Sequence, residues 1–430
     1  MKYLPIQNTL FVRNRERFAA TLKPNSIAIF NSNDPMPTNA DGTMGFKQNT
    51  DLFYLSGIDQ EESILLIYPD CPDPKHREVL FLRETSNHIA VWEGYKYTIE
   101  HAREVSGIQT IYWATHFESI LTTLVFEAEN IYLNTNEHIR NSSVVQTRNA
   151  RFINWMKDRY PLHNYERIAP LMHSLRVIKS EIEVQQLKEA IRITESGFRR
   201  VAKFVKPGVT EYEIEAEFIH EFIRNRSAGF AYQPIIASGA NSCVLHYIEN
   251  NRPCKDGDVL LLDVAAEYGN YNADLTRTIP VNGRFTPRQK QVYNAVLRAM
   301  KFATSILTVG NVWSDYQREV EKFIESELIG LGLLDATDVK NQNPDSLPLL
   351  KKYFMHGCSH HLGLDVHDVW NRYRRFEAGM VFTCEPGIYI PEEGLGIRLE
   401  NNLIITEDGN IDLMAGIPIE AEEIEDLMNS

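Results

Sequence analysis

The sequence predicts two domains of different fold class, an α/β domain over residues 1–173 and an α+β domain over residues 174–430. Two observations support this division. In the first part, short apolar runs alternate with helical stretches and polar connections, which is typical of α/β domains. In the second part, long amphipathic helices stand beside hairpin patterns, so we expect an α+β domain rather than a doubly wound sheet.

The elements of the first domain follow from its apolar runs. Each predicted strand is a short run of apolar residues between polar connections. The predicted strands are residues 26–30, 63–68, 78–82 and 130–133, and the predicted helices include residues 13–22 and 98–105.

Capping motifs mark the helices of the second domain. Ser180 and Glu183 form a capping box, in which each side chain can bond the backbone N–H of the other residue. The helix that begins there carries apolar residues at spacings of three, four and seven, and Pro207 ends it. Thr210 begins a second helix with the same motif. Thr286 begins a third, followed by a proline in the first turn.

Composition and charge exclude several classes of function. The 430 residues carry 44 Lys and Arg against 58 Asp and Glu, a net charge of −14 that repels phosphate backbones, so we expect no nucleic-acid partner. No apolar run approaches the roughly 18 residues of a membrane helix, so we expect no membrane span. The five cysteines form no CxxC motif, and the first residues lack the apolar segment of a secretory signal. We therefore expect a reduced, cytoplasmic protein.

Two aspartates face each other in a predicted hairpin. Residues 259–265 read as a buried strand, and residues 270–279 as its antiparallel return. A turn at Tyr268 and Gly269 places Asp263 directly opposite Asp274, whereas a turn one residue later makes them diagonal neighbours on one face. Either register puts two carboxylates on one patch of a mostly apolar hairpin.

The aspartate pair needs a compensating charge, because like charges on one face destabilise a sheet and buried unpaired carboxylates cost more. The candidates are a structural arginine, with Arg277 nearby, or a metal cation. A second acidic pair favours the cation. Glu385 and Glu400 are fifteen residues apart around a loop that contains residues 391–394, so antiparallel pairing with an even loop puts them on one face. The alternative is that both pairs lie in surface salt-bridge patches.

Histidines are concentrated between the two acidic hairpins. Four of the 13 histidines lie within residues 356–367, and His246 precedes the first hairpin. No HExxH motif is present, so a zincin site is not expected. Carboxylates with an imidazole favour Mn²⁺, Fe²⁺, Co²⁺ or Zn²⁺ over metals that prefer thiolates. Four carboxylates can also bridge two ions about 3.5–4 Å apart.

This set of residues, in this order and spacing, resembles the pita-bread metallopeptidases, and within them the aminopeptidase P family. The set is Asp263, Asp274, His360, Glu385 and Glu400. The resemblance extends to residues 246–250, 274–278, 280–283, 364–368 and 385–389. It also covers residues 48–57 and 92–94 in the first domain and the connecting segment 174–180.

The resemblance implies a pita-bread fold for the second domain, with two divalent metal ions. It implies that Asp263 binds one ion, that Asp274 and Glu400 bridge both, and that His360 and Glu385 bind the other. Glu385 would also act as general base and then acid. The further implied catalytic residues are His246, His356, His367 and Arg398, with His356, His367 or both stabilising the oxyanion.

The implied activity is hydrolysis of the bond between an N-terminal residue and a following proline. Mn²⁺ is the expected metal, with Zn²⁺, Co²⁺ or Fe²⁺ as alternatives, and a homodimer or homotetramer is the expected assembly. A prolidase, which cleaves only Xaa-Pro dipeptides, is the first alternative. Methionine aminopeptidase fits less well because roughly 170 residues precede the catalytic half. A non-catalytic pita-bread peptide-binding protein, or a creatinase-like enzyme without metal, should have lost ligands that are present here.

Several positions depart from the family pattern. His361 stands where a bulky aromatic residue is common, Trp370 where glycine is frequent, and Asn401 where an acid is usual. The loop between Tyr389 and Gly396 is also short. None of these changes removes an implied ligand, but they leave the shape of the substrate pocket open.

Overall fold

The structure is a computed structural model that describes residues 2–430. It divides into two units, Tyr3–Arg176 and Val177–Ser430. Each unit has its own sheets and helices, so the two are described separately.

The first unit is an α/β domain, as predicted. Its strands are β1 (Ser26–Asn31), β2 (Ile64–Ile67), β3 (Glu78–Leu82), β4 (Thr110–Trp113), β5 (Asn130–Leu133) and β6 (Asn164–Arg167). Its helices are α1 (Thr9–Ala19), α2 (Thr50–Ser56), α3 (Asn87–Glu93), α4 (Ile99–Ser106), α5 (Phe117–Val125), α6 (Arg148–Arg159) and α7 (Ala169–Arg176).

These six strands form one mixed sheet in the order β4-β3-β2-β1-β5-β6. The central strand β1 is buried along its whole length, pairs antiparallel with β2 and parallel with β5. The four predicted strands agree with β1, β2, β3 and β5 to within one residue at each end. The edge strands β4 and β6 are not among the predicted strands, because most of their residues are only partly buried and their apolar pattern is weak.

The second unit mixes helices with small antiparallel sheets. Its helices are α8 (Glu181–Phe204), α9 (Glu211–Arg224), α10 (Pro287–Ile306), α11 (Trp313–Gly330), α12 (Ala336–Asn341) and α13 (Ala421–Met428). Its strands are β7 (Ile235–Ser238), β8 (Val259–Asp263), β9 (Glu267–Tyr268), β10 (Tyr271–Asn272), β11 (Thr276–Pro280), β12 (Val381–Cys384), β13 (Gly387–Ile390), β14 (Leu395–Arg398), β15 (Asn401–Thr406) and β16 (Gly409–Asp412).

The predicted capping boxes begin the first three helices of this unit. At α8 the backbone N–H of Ser180 donates to the Glu183 carboxylate over 2.8 Å, and the Ser180 hydroxyl accepts from the N–H of Glu183. The boxes of Thr210 and Thr286 begin α9 and α10 in the same way. No helix among residues 2–430 combines the length and the apolar character that a bilayer crossing requires.

The first acidic hairpin adopts the later of the two predicted turns. Gly269 and Asn270 occupy the turn with φ of +59° and +67°, which matches a type I′ turn. This register pairs Thr276 with Asp263, so Asp274 is a diagonal neighbour of Asp263 rather than its direct partner.

The second acidic hairpin has the predicted even loop. Gly387 pairs with Arg398 in the β13–β14 ladder, and Cys384 pairs with Asn401 in the β12–β15 ladder. The same register runs through both ladders, so Glu385 and Glu400 lie opposite each other in the short gap between them. Both acidic hairpins therefore deliver their carboxylates to one region of the second unit.

Candidate metal centre

Three predicted ligands form the core of an acidic cluster. Asp274, His360 and Glu400 each present one ligand atom, and these atoms all lie within 4.8 Å of one another. The Nε2 of His360 is 3.4 Å from Oδ2 of Asp274. Asp274 is 5% exposed and Glu400 is 2% exposed, so both carboxylates are removed from water.

Glu385 and Asp263 complete this cluster, which we call the acidic centre (Asp263, Asp274, His360, Glu385 and Glu400). Oε1 of Glu385 is 3.5 Å from Nε2 of His360. The Asp263 carboxylate accepts hydrogen bonds from the Tyr232 hydroxyl and from Nη2 of Arg398, both over 2.6 Å. The centre therefore draws its side chains from both hairpins and from the histidine segment.

Arg398 is the cation that faces the acidic centre. Its guanidinium also donates to the Tyr389 hydroxyl over 2.9 Å and to the Thr276 hydroxyl over 3.2 Å. The Thr276 hydroxyl in turn donates to the Glu400 carboxylate over 2.7 Å. Arg398 thus reaches Asp263 directly and Glu400 only through a neutral hydroxyl.

Arg277, the arginine considered as a structural counter-charge, points elsewhere. Its guanidinium donates to backbone carbonyl oxygens, including that of Glu400, and to Oδ1 of Asn401. Burial lowers the pKa of Arg277 to about 10. Its hydrogen-bond partners are carbonyl and amide oxygens, so Arg277 makes no ion pair with a carboxylate of the acidic centre, although the charge of Glu400 acts on it.

The pKa values of the acidic centre reflect excess negative charge. Burial raises the pKa of Asp263, raises that of Glu400 well above its ordinary range, and raises that of Glu385 to about 7, with neighbouring carboxylates adding to each shift. Burial alone lowers the pKa of His360, but the hydrogen bond with Asp274 and the charge of Glu385 outweigh it, so its pKa is raised.

The donor chemistry of the acidic centre fits divalent metal ions. Among residues 2–430, the four carboxylates and the imidazole face one guanidinium, that of Arg398, so the centre carries excess negative charge. Hard oxygen donors with an imidazole suit Mn²⁺, Fe²⁺, Co²⁺ and Zn²⁺. A buried acidic cluster of this kind is stable with such ions and costly without them.

His356 is held beside the acidic centre by both ring nitrogens. Nδ1 lies 2.8 Å from the carbonyl oxygen of Gly357, and Nε2 lies 2.8 Å from the Tyr389 hydroxyl. Burial lowers the pKa of His356 to about 3, so the ring is neutral and carries one N–H. A carbonyl oxygen can only accept, so that N–H is on Nδ1, and Nε2 accepts from Tyr389.

The other two predicted histidines are exposed. The ring of His367 lies edge-on to that of His360, with centroids 4.3 Å apart. His246 lies in the turn that follows β7 and precedes β8. Burial and then Arg398 do most to lower the pKa of His356.

Two of the departures from the family pattern, His361 and Trp370, are neighbours in space. His361 is buried, its ring lies 4.1 Å from that of Phe382, and the Trp370 indole lies 5.9 Å away. Trp370 thus stands beside the smaller ring of His361. Next to them, Lys179 and Asp368 form a buried ion pair of 2.8 Å.

Three hydroxyl groups of the site are absent from the predicted residues: those of Tyr232, Thr276 and Tyr389. Thr276 could have been found from the hairpin register, which places it opposite Asp263. Tyr389 belongs to the segment that carries the resemblance, although no role was assigned to it. Tyr232 precedes β7 in an irregular segment, and no sequence pattern marks it.

Comparisons with known proteins agree with this arrangement. Residues 185–407 match the model of metallopeptidase family M24, and residues 11–132 match the aminopeptidase P N-terminal domain. The Xaa-Pro aminopeptidase of Haemophilus influenzae is 33% identical, and the alignment covers 97% of each chain.

Two solved structures of aminopeptidase P from Escherichia coli extend the comparison. The complex with the inhibitor Pro-Leu has a TM-score of 0.87 and 32% identity over 99% of each chain. A zinc-substituted form in complex with product has the same TM-score, identity and coverage. The similarity thus spans both units and includes a protein that accepts zinc.

Proposed function

The chain belongs to metallopeptidase family M24 with an aminopeptidase P N-terminal domain, and on that premise we propose that it is a Xaa-Pro aminopeptidase. It would hydrolyse the peptide bond between an N-terminal residue and a following proline. The observation that carries the proposal is the acidic centre, where four carboxylates face one guanidinium among residues 2–430 and offer the ligands that divalent ions need.

We propose that the acidic centre holds two divalent ions, with Mn²⁺ as the working metal and Zn²⁺, Co²⁺ or Fe²⁺ as substitutes. Asp263 would hold one ion, His360 and Glu385 the other, and Asp274 and Glu400 would bridge them. Such ions, when bound, lower the pKa of water and polarise carbonyl groups.

The chain's own residues would move the proton. Glu385 takes a proton from the attacking water and delivers it to the proline nitrogen as the C–N bond breaks. Its Oε1 faces His360, and its Oε2 lies 3.9 Å from Nδ1 of His356, so the carboxylate stands between two imidazoles. Since the water adds to the carbonyl carbon and the nitrogen leaves protonated, the reaction is balanced without a further reactant.

The hydrogen bonds of His356 favour His367 as the group that stabilises the oxyanion. His356 already donates its one N–H to a backbone carbonyl and accepts from Tyr389, so it has no donor left for substrate. His367 is exposed, and its ring lies beside that of His360, with centroids 4.3 Å apart. We therefore assign substrate contacts to His246 and His367, and to His356 the positioning of Tyr389 and Arg398.

The alternative of a strict prolidase shares this centre and differs only in the permitted peptide length. Purified protein is treated with chelator and then assayed with a Xaa-Pro dipeptide and with Xaa-Pro-Xaa tripeptides and pentapeptides, with Mn²⁺, Zn²⁺, Co²⁺ or Fe²⁺ added separately. We expect Mn²⁺ to restore cleavage of the longer peptides, with release of the first residue. Peptides with alanine in the second position are the control and should not be cleaved.

Cleavage of the dipeptide alone would identify a prolidase. Peptide binding without cleavage, unchanged by metal, would identify a non-catalytic protein. Two metal ions per chain by elemental analysis is the expected stoichiometry, and one ion per chain would contradict the dinuclear assignment.

We also propose that the protein is a homodimer or homotetramer in a reducing compartment such as the cytoplasm. Val91 and Trp92 on α3 are each 80% exposed, which is unusual for large apolar side chains and suits burial against another copy. All five cysteines are free, as a reducing compartment requires. Light scattering on the purified protein measures the assembly, and a monomer at micromolar concentration would exclude it.

A further inference from the structure

A cavity in the first unit has no part in the function proposed above. It has a volume of about 350 Å³, at the lower end of the range for small-molecule sites. We call it the N-terminal cavity, and it is lined by two arginines, one glutamate, one asparagine and four apolar residues: Arg148, Arg151, Glu118, Asn31, Ile64, Phe117, Phe152 and Trp155. Asn31 ends β1, so the cavity lies at the carboxyl end of a parallel strand, where α/β sheets commonly bind ligands.

Arg148 brings an unpaired positive charge to the N-terminal cavity. Its guanidinium is mostly buried and donates to the Ser32 hydroxyl over 2.5 Å, and no carboxylate within residues 2–430 lies at ion-pair distance. Burial lowers the pKa of Arg148, with distant carboxylates opposing that shift. Arg15 in the same unit is fully buried and has the Glu78 carboxylate at 2.9 Å, whereas Arg148 is partly exposed and has no such partner among the residues that the structure describes. A bound anion would therefore stabilise the guanidinium of Arg148.

Asn31 brings an unpaired acceptor to the same cavity. It is 2% exposed, and its Nδ2 donates to Oδ1 of Asn149 over 3.1 Å. Its own Oδ1 is buried and has no hydrogen-bond partner within residues 2–430. A buried carbonyl oxygen without a hydrogen bond lowers the stability of the folded state. We therefore expect the ligand of this cavity to carry a hydrogen-bond donor as well as a negative charge.

Aromatic rings form a wall of the N-terminal cavity. Phe152 and Trp155 stack with centroids 5.6 Å apart at 24°, and Phe117 lies 5.9 Å from Phe152. These rings are neighbours on α5 and α6, so they present one continuous apolar surface. The cavity thus combines a cation, an acceptor and an aromatic wall within a small volume.

We propose that the N-terminal cavity binds a free α-amino acid with an aromatic or large apolar side chain. The carboxylate would pair with Arg148, the ammonium group would donate to Oδ1 of Asn31, and the side chain would pack on the rings of Phe152 and Trp155. Arg151 is already paired with Asp34 at 2.7 Å and would stay at the rim. The proposal concerns binding alone and is independent of the peptidase assignment.

A series of four ligands tests this proposal by isothermal titration calorimetry on the wild-type chain. The probes are L-phenylalanine, L-phenylalaninamide without the carboxylate, 3-phenylpropanoate without the ammonium group, and inorganic phosphate. We expect saturable binding of L-phenylalanine, at least 10-fold weaker binding of the amide, and several-fold weaker binding of 3-phenylpropanoate. Phosphate that binds as tightly as L-phenylalanine would show a simple anion site and overturn the proposal.

Variants locate the binding. Arg148→Gln should weaken the binding of L-phenylalanine at least 10-fold. Arg103→Gln is the matched control and should leave the Kd unchanged, because Arg103 is a partly exposed arginine on α4 that does not line the cavity. His360→Ala should also leave it unchanged, because that residue belongs to the acidic centre. Loss of binding in His360→Ala with retention in Arg148→Gln would place the ligand at the acidic centre and refute the cavity. If Arg148→Gln does not fold, the ligand series decides alone.

Discussion

Two buried arginines of the first unit and the acidic centre of the second unit show opposite arrangements of buried charge. In the first unit, buried Arg15 and Arg176 each lie against a carboxylate, Glu78 at 2.9 Å and Asp51 at 2.8 Å. In the second unit, four carboxylates of the acidic centre converge, and Arg398 is the one guanidinium in the described part of the chain that faces them. Ion pairs whose charges cancel stabilise a fold. A cluster with excess negative charge needs a cation bound from solution. Whether a buried charge is neutralised by a protein side chain therefore distinguishes structural ion pairs from candidate binding sites.

The largest expected effect comes from Glu385→Gln, which keeps the size of the side chain and removes the proton acceptor. We expect kcat for Xaa-Pro peptides to fall about 10³-fold, near the upper range for a general base. The melting temperature of the metal-free protein should not fall, because one of several repelling carboxylates becomes neutral. Steady-state kinetics and calorimetry check both parts.

Glu183→Gln is the matched control for that substitution, because Glu183 is also buried but caps α8. It should lower the melting temperature and leave the kcat of the folded enzyme unchanged. Turnover by Glu385→Gln at the wild-type rate would remove Glu385 from the mechanism.

A pair of aspartate substitutions tests the charge comparison directly. Asp51→Asn removes the carboxylate that lies 2.8 Å from the buried guanidinium of Arg176, so we expect a loss of about 3 kcal/mol and a fall of roughly 6–12 °C in melting temperature. Asp274→Asn removes a repelling charge, so the metal-free melting temperature should stay the same or rise. We expect Mn²⁺ to raise the melting temperature of the wild type, and this increase should be absent in Asp274→Asn.

Both aspartate variants are measured by differential scanning calorimetry with and without Mn²⁺. The backbone of Asp274 is held on both sides by Asn402, so the asparagine variant should keep the local fold. Equal losses of stability in the two variants would mean that the acidic centre is an ordinary structural cluster.

A smaller effect is expected from Tyr389→Phe, which removes the hydroxyl between Arg398 and His356. We expect kcat to fall about 10-fold, which corresponds to about 1.4 kcal/mol of activation free energy. KM should change less than twofold, because the lost hydroxyl positions other groups and does not bind substrate. Tyr165→Phe is the control, since its hydroxyl bonds backbone carbonyls of the first unit. A rise in KM at constant kcat would instead assign Tyr389 to substrate binding.

The smallest expected effect is that of Asn270→Ala in the turn of the first acidic hairpin. Alanine tolerates the left-handed conformation at φ +67° less well than asparagine, so we expect a loss of about 1 kcal/mol. Chemical denaturation measures it, and Asn270→Gly should restore the stability. A changed kcat in the folded alanine variant would show that the hairpin register is more sensitive than we infer.

The sequence predicts the convergence of the acidic centre because hairpin registers follow simple rules. The odd separation of Glu385 and Glu400 around an even loop is enough to place them on one face. The turn of the first hairpin could also have been decided, since a type I′ turn requires positive φ at two positions that Gly269 and Asn270 tolerate and Tyr268 does not.

Other features depend on tertiary packing that no local pattern encodes. Arg277 and Arg398 are both near acidic ligands in the sequence, yet only Arg398 points its guanidinium into the acidic centre. Tyr232 reaches Asp263 from an irregular segment. The departures at His361 and Trp370 look unrelated in sequence, although their rings are neighbours in space.

The spread of the acidic centre along the chain, from Asp263 to Glu400, bears on how the protein is made. During translation the aspartates of the first hairpin leave the ribosome long before Glu400 does. The nascent chain therefore carries incomplete ligand sets through most of its synthesis, and it cannot capture its full complement of ions until the last hairpin has emerged. Metal loading thus belongs to the end of biosynthesis, and a truncated chain that stops before β15 should remain unable to mature.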